Sequence, residues 1–483
     1  CRGGVKYTIE RFPRARTALR PTRNTIRGPP EARIPLADQP PLEDDLTPSA
    51  EPGPPTPKKP AGQSLASAAV LMVLATLGAR VMGLVRVMVI ARFGTTGEIN
   101  AYIHAFTIPD FVYFLIAGGA LRTGFVPVFT EYMTKGRESQ AWKTFSSLFY
   151  ILLIFAGIIV AAGIIAAPAL AAFISPGWVR TRPDLVVLCA ELMRIIFPAQ
   201  LFFVLGGLFM GTLNAQKHFF WPAMAPIVYD LFIIGGALVV LHSPETFDLR
   251  TIAYALVAGA LCGHVLLQIP PLIARNARLG RVIDLSDDGV KRVVKLALPV
   301  IFGLAVAEIN YIVIRTFSTM VSPDQGPAVM EYANRLWKLP AGIFGAAIAI
   351  ALFPMLSEHY AKDDVKGYRR DFSFGMRNTL FLTVPAALVM GLMPTAVVRL
   401  LFERGDFTAG STAAVSEVMA WFAPGILALS VLYIVARAFY ARHDTRTPLI
   451  VGIISVAVCA LGSYLLMEPM GLTGLALSMT VSN

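Results

Sequence analysis

From Leu65 onward the chain alternates between long apolar segments and short polar ones rich in Lys and Arg. No charged residue lies between Lys143 and Arg180, and similar uncharged runs separate Arg250 from Arg275, Arg377 from Arg399, and Arg446 from Glu468. A helix of about 20 apolar residues crosses the hydrocarbon core of a bilayer, so each run is long enough to span. The pattern predicts twelve spans, near 65–91, 101–131, 144–174, 184–212, 219–241, 250–274, 290–321, 327–358, 373–402, 411–440, 447–467, and a last one opening near 470. The twelfth meets Asn483 after too few residues to cross, so the chain is expected to be truncated, with further helices beyond. The fold class is all-α: a polytopic membrane protein.

Residues 1–62 follow a different pattern. Pro29 to Pro60 is dense in proline with scattered apolar residues, a composition that buries too little surface to offset its ordering entropy. A disordered cytoplasmic tail is expected there. It has no apolar core of a signal peptide, and the chain opens on Cys1 instead of methionine, which suggests a fragment or a misassigned start.

An internal repeat organises the rest. Pro168 and Pro394 are 226 residues apart, as are Pro198 and Pro424, and Pro222 and Pro448. Ala215 and Ala441 share that offset inside LNAQKHFFWP and FYARHDTRTP, and PVFTEY at Pro127 answers PMLSEHY at Pro354. Six helices per unit give both units one membrane orientation. The expectation is an N-terminal bundle over 63–275 and a C-terminal bundle over 276–483, related by an axis along the membrane normal, with a binding site between them and alternating access.

Charge changes the picture in two ways. The net +11 invites a nucleic-acid reading, but the basic residues sit in short loops between apolar segments. The loops after spans 2, 4, 6, 8 and 10 hold seventeen Lys and Arg against about five in the opposite loops. That asymmetry predicts a cytoplasmic N-terminus and an inner-membrane protein with no nucleic-acid partner. With 55% hydrophobic residues and a mean hydropathy of +0.62, a single soluble core is excluded. Cys189, Cys262 and Cys459 fall inside apolar segments with no metal-ligand spacing. No Gly-rich phosphate loop, nucleophile–base pair or histidine cluster is present, so neither an enzyme, a metal nor a cofactor is expected.

The second change is charge inside the spans, where each ionisable group costs about 2.5–3.5 kcal/mol on insertion scales. Arg80 and Arg86 lie in span 1, Asp110 and Arg122 in span 2, Glu308 and Arg315 in span 7, and Arg335 and Lys338 in span 8. Six cations facing lipid would cost on the order of 15–20 kcal/mol, so a water-filled cavity is expected around them. Six cations against two anions leave that cavity positive, which selects an anion, and arginine's planar fork suits phosphate oxygens. Arg335 and Lys338 share a helix face, and Glu308 and Arg315 have a spacing that allows pairing. Arg122 and Arg80 also have snorkelling as an alternative role. Asp230 and His264 read as satisfied core polars, and Asp110, Glu308 and Asp230 are the candidates for ion coupling.

These residues carry a family resemblance. RVMGLVRVMVIARFG (Arg80 to Gly94), FVPVFTEY (Phe125 to Tyr132), YANRLWKLPAGIFGAAIAIALFPMLS (Tyr332 to Ser357) and FYARHDTRTP (Phe439 to Pro448) are similar to the helix 1, helix 2, helix 8 and helix 10–11 motifs of MurJ/MviN lipid II flippases. The resemblance implies a fold of the multidrug/oligosaccharidyl-lipid/polysaccharide exporter superfamily and a lipid-linked anionic substrate. It implies that lipid II is carried from the cytoplasmic to the periplasmic leaflet for peptidoglycan synthesis. It places the family's essential cavity arginines on Arg80, Arg86 and Arg335. Fourteen helices are usual in that family, the last two grooved for a lipid tail. The chain departs from the pattern at Val87 and Asn334, where the family usually has acids, and at Phe114 and Gly118, where it has an arginine and a glutamate; Arg122 and Lys338 are additions. The departures leave room for a flippase for another polyprenyl-diphosphate-linked oligosaccharide; a cation-coupled multidrug exporter and a silent membrane scaffold are the alternatives from other classes, and six intramembrane cations count against both.

Overall fold

A computed structural model describes residues 65–116 and 120–483, with side chains described for all of these except 65–74, 76, 120–122, 299–300 and 302–307. The proline-rich segment expected to be disordered, Gly118 and the side chain of Arg122 lie outside that description. The described residues form helices and no strands, as a bilayer requires of segments that must satisfy their own backbone groups.

The spans are α1 (Leu65–Ala91), α2 (described over Glu98–Ala105, Thr107–Ile116 and Ala120–Thr134), α3 (Glu138–Ile174), α4 (Pro183–Ala215), α5 (Phe220–His242), α6 (Leu249–Ala274), α7 (Asp288–Val321), α8 (Gly326–Ala361), α9 (Val365–Leu392), α10 (Ala409–Ala441), α11 (Arg446–Met470) and α12 (Leu472–Ser482). Among the described residues nine of these are long and apolar enough to cross a membrane. Of the other three, α1 and α7 have 27 and 34 residues and α12 has 11. Short helices, Pro176–Thr181 and Pro394–Phe402, sit in two connections.

Proline explains most of the breaks. Pro340 lacks an amide donor and is followed by a π-turn over Ala341–Gly345, which re-spaces the ladder around the missing bond. In α6 a π-turn over Leu261–Val265 and a 3₁₀ turn precede Pro270 and Pro271. The span expected over 373–402 is instead two helices, because α9 ends before Met393 and Pro394 opens a new one. Its partner in the repeat, Pro168, stays inside the continuous α3. Elsewhere the repeat is legible in the helices themselves. Pro198 and Pro424 are each the sixteenth residue of a 33-residue span, and Pro222 and Pro448 are each the third residue of theirs.

In the first half α5 packs between α1 and α6, and α4 packs on α2, α3 and α6. In the second, α10 packs on α8, α9 and α12, while α7 packs on α11. Residues such as Ile158, Ile165 and Phe173 on α3 and Ile454 and Leu461 on α11 are exposed, the apolar surface that lipid covers. The halves meet where α7 contacts α2 and the Pro176–Thr181 helix, and where α8 contacts α2.

The face formed by the connections after α1, α3, α7 and α9 is sealed. Buried Asn100 donates to the carbonyls of Thr95 (2.8 Å) and Asp324 (2.8 Å) and accepts from the amide of Ala328 (2.9 Å), joining α2 to the first turn of α8. The Thr95 and Ser411 hydroxyls touch at 2.9 Å, and the Asp406 amide donates to the Arg92 carbonyl at 2.9 Å. Trp178 Nε1 donates to the Pro323 carbonyl (2.7 Å), and Arg182 pairs with Asp324. A Cβ on Gly177 would collide with the Thr319 carbonyl, so this close approach needs glycine. Beneath it Tyr332, Phe402 and Phe407 form a fully buried aromatic cluster.

Candidate functional site: a charged cavity between the halves

Below the sealed face lies a cavity of about 390 Å³ lined from α1, α2, α4, α5, α6, α7 and α8. Its walls are mostly apolar and aromatic, including Tyr102, Tyr113, Phe114, Phe203 and Tyr229, and its charged residues come from both halves. Five of the residues predicted from sequence meet here: Arg86, Asp110, Asp230, Arg315 and Arg335. Helical spacing accounts for the presentation, since α1 turns Gly83, Arg86, Val87 and Ile90 to one side.

Three arginines and three carboxylates line the cavity, the third carboxylate being Glu331. The surplus of positive charge expected from six cations against two anions is therefore absent from the lining. Two acids supply the correction. Asp230 pairs with Arg86 Nη1 at 2.9 Å, so it is a counter-ion drawn from α5. Glu331 forks between two arginines, with Oε1 accepting from Arg335 Nε at 2.6 Å and Oε2 from Arg315 Nη2 at 2.7 Å. The spacing allowed Glu308 to pair with Arg315, but Glu331 takes that place.

The two arginines bound by Glu331 differ in access. The Arg315 side chain is 3% exposed; its Nη1 donates to Thr107 (3.2 Å) and its guanidinium lies over the Tyr311 ring. The Arg335 side chain is 45% exposed, and its Nη nitrogens have no partner among the described residues. Arg86 is intermediate at 21%, with the Tyr229 ring beside it. The Asp110 carboxylate lines the cavity with no hydrogen bond or ion pair among the described residues. Lys338 also lies over the Tyr311 ring, 4.7 Å from its centroid, and Glu308 is half-buried a turn before that tyrosine. Arg80 is outside the lining and reaches α8 at Gly342. His264 does line it, edge-on to Phe203 and Tyr229, with Nδ1 buried and unbonded. Both residues thus lie at the cavity wall and not in the core, Asp230 with a partner in Arg86 and His264 Nδ1 with none among the described residues.

Glu331 was missed because it sits near the expected start of its span and is readily taken for an interfacial acid. The available signal was its i,i+4 spacing to Arg335. Asn334, where the resemblance expects an acid, is buried and accepts from Trp337 Nε1 at 3.1 Å. The counter-ion of Arg335 is Glu331, one turn before it on the same helix.

A duplicated helical bundle around a charged cavity that is sealed at one face defines a membrane transporter of the alternating-access kind. Residues 89–483 match the sequence profile described as lipid II flippase MurJ, and the chain belongs to that family of multi-pass bacterial membrane transporters. It is 30% identical over 421 residues to a probable lipid II flippase MurJ of Haemophilus influenzae, covering 84% of this chain and 82% of that one. It is likewise 30% identical to the lipid II flippase MurJ of Burkholderia cenocepacia, covering 84% and 79%. Among solved structures it resembles a lipid II flippase MurJ described as inward closed, with a TM-score of 0.73 at 22% identity over 86% of this chain and 85% of that one. An inward-facing MATE transporter of the MOP superfamily matches with a TM-score of 0.72 at 14% identity, over 86% and 94%. These likenesses establish the shared fold.

Proposed function

We propose that this chain is a lipid II flippase: it carries the undecaprenyl-diphosphate-linked peptidoglycan precursor from the cytoplasmic to the periplasmic leaflet of the inner membrane. Membership of the family over residues 89–483 carries the reading, and the accessible guanidinium groups of Arg335 and Arg86 give it chemistry. Planar forked donors in a cavity walled by aromatic rings can grip a diphosphate without covalent change. Arg80 and Lys338 would meet the cargo on its way in or out, and Arg122 is assigned the same role. Arg315, held by Glu331, Thr107 and Tyr311, would act by fixing the cavity wall.

The charge asymmetry of the loops supports a cytoplasmic N-terminus, under which the sealed face is periplasmic and this conformation is closed to that side. Rocking of bundles over 63–275 and 276–483 would exchange the seal for a cytoplasmic one. Asp110, unpaired beside three arginines, is the first candidate for ion coupling, with Glu308 and Asp230 behind it.

Complementation tests the reading. The full-length protein is expected to rescue a strain depleted of its own lipid II flippase. Failure at normal expression, with rescue of a strain lacking an O-antigen or capsule-unit flippase, would move the cargo to another polyprenyl-diphosphate glycan. Drug efflux without either rescue would refute both.

A further inference from the structure

The accessible arginines of the cavity are already engaged by the protein's own carboxylates. We infer that Glu331 and Asp230 are internal occupants of the anion site, holding Arg335 and Arg86 while the cavity is empty of cargo and competing with an incoming diphosphate. The inference rests on the diphosphate reading above and adds a regulation of that same site.

Glu331 has two unlike ends. Oε2 is tied to Arg315, which is 3% exposed and further fixed by Thr107 and Tyr311. Oε1 is bound to Arg335, whose side chain is 45% exposed and which gives only Nε to it. A purely structural counter-ion would need only the first contact. The second places a negative charge on the guanidinium that has its remaining donors free for a phosphate. A phosphate on those Nη nitrogens would share one cation with Oε1 at contact range, and like charges disfavour that arrangement. Asp230 repeats the arrangement on the other half, meeting Arg86 at Nη1 while that side chain keeps 21% exposure. Asp230 pairs with Arg86, and Glu331 with both Arg315 and Arg335, so arginines that face water between cargoes are not bare. They also bind a diphosphate less tightly than bare arginines would, which favours release on the far side.

The test is titration of the full-length protein in nanodiscs with inorganic pyrophosphate, alongside lipid transport. Glu331→Gln and Asp230→Asn are each expected to bind pyrophosphate about tenfold or more tightly than wild type and to transport more slowly, because release becomes limiting. Arg335→Ala should abolish the gain in Glu331→Gln. A carboxylate that merely held the fold together would give weaker binding and slower transport together. Wild-type binding that needs Arg335, with neither acid variant binding tighter, overturns the inference and leaves the diphosphate reading standing. Absence of Arg335-dependent binding in every variant overturns the reading and the inference with it. Should Glu331→Gln fail to fold, because buried Arg315 loses its partner, Asp230→Asn decides alone.

Discussion

Replacing Asn100 by alanine should loosen the sealed face by a calculable amount. Its side chain is fully buried and makes four hydrogen bonds, of which those to the Thr95 and Gly97 carbonyls stay within one half. Those two exist whichever way the halves lie, so their loss cancels between closed and open states. The bonds to the Asp324 carbonyl and from the Ala328 amide cross between halves and exist only when the face is closed. At about 0.5–1.5 kcal/mol net for each, Asn100→Ala should shift the equilibrium toward opening by about 1–3 kcal/mol, or roughly fivefold to 150-fold. The assay is thiol labelling. Thr95 is 1% exposed, so a Thr95→Cys reporter, in a background with the native cysteines replaced, reacts with a membrane-impermeant maleimide only during opening. When reclosing is fast the labelling rate follows the open population, and the reporter's own lost contact with Ser411 is common to both proteins compared. An increase below twofold would refute the claim that Asn100 latches the halves.

Arg86→Ala and Arg335→Ala should each abolish transport while the protein still inserts, since a charge-assisted contact is worth about 1.5–3 kcal/mol; rescue by both variants at normal membrane abundance would contradict the cavity assignment. Transport should respond to membrane potential, because a diphosphate leaving a negative interior gains about 2.3 kcal/mol per charge per 100 mV; flipping that persists unchanged when an ionophore collapses the potential alone would exclude this. In the connections, backbone amides of Gly367 and Thr447 hold the Asp364 and Asp444 carboxyls below their ordinary range. Carboxyls depressed in this way stabilise the fold above the unfolded value near 4 and lose that contribution as pH falls through the folded one. The melting temperature in detergent should therefore fall as the pH is lowered from about 5 through the unfolded value, and Asp364→Asn with Asp444→Asn should flatten part of the drop.

The spans, the duplication and five of the cavity's charged residues were legible because each depends on one helix at a time. Apolar runs mark α3 and α11, the proline offset marks α4 against α10, and an arginine within an apolar run marks Arg86 or Arg335. Pairing was not legible, because it depends on which helices touch. Asp230 looked like an isolated polar on α5 until α1 was laid against that helix and brought Arg86 to 2.9 Å. Arg315 had a plausible partner at helical spacing in Glu308, yet α8 delivers Glu331 across the helix gap at 2.7 Å. The break before Pro394 shows the same limit from another side. Pro168 occupies the matching place in the repeat and leaves α3 continuous, so the proline alone does not determine the outcome.

Charge balance links these observations to function. Beside the motifs it resembles, this chain lacks the acids expected at Val87 and Asn334, and its cavity arginines are nonetheless countered, by Asp230 from α5 and Glu331 one helical turn before Arg335. A carboxylate at 334 would have been buried against Trp337, where the amide instead accepts the indole N–H. An acid at 331 lets one carboxylate serve the buried Arg315 and the accessible Arg335 together. Leaving a buried Arg315 uncompensated would cost about 3–5 kcal/mol, so Glu331 protects the wall while keeping Arg335 available on its cavity side. A carrier has to bind its cargo and then let it go. A cavity whose cations are all matched by its own anions can do both, since whatever the cargo gains from the arginines it gains in competition, and the protein's carboxylates reclaim them when it leaves.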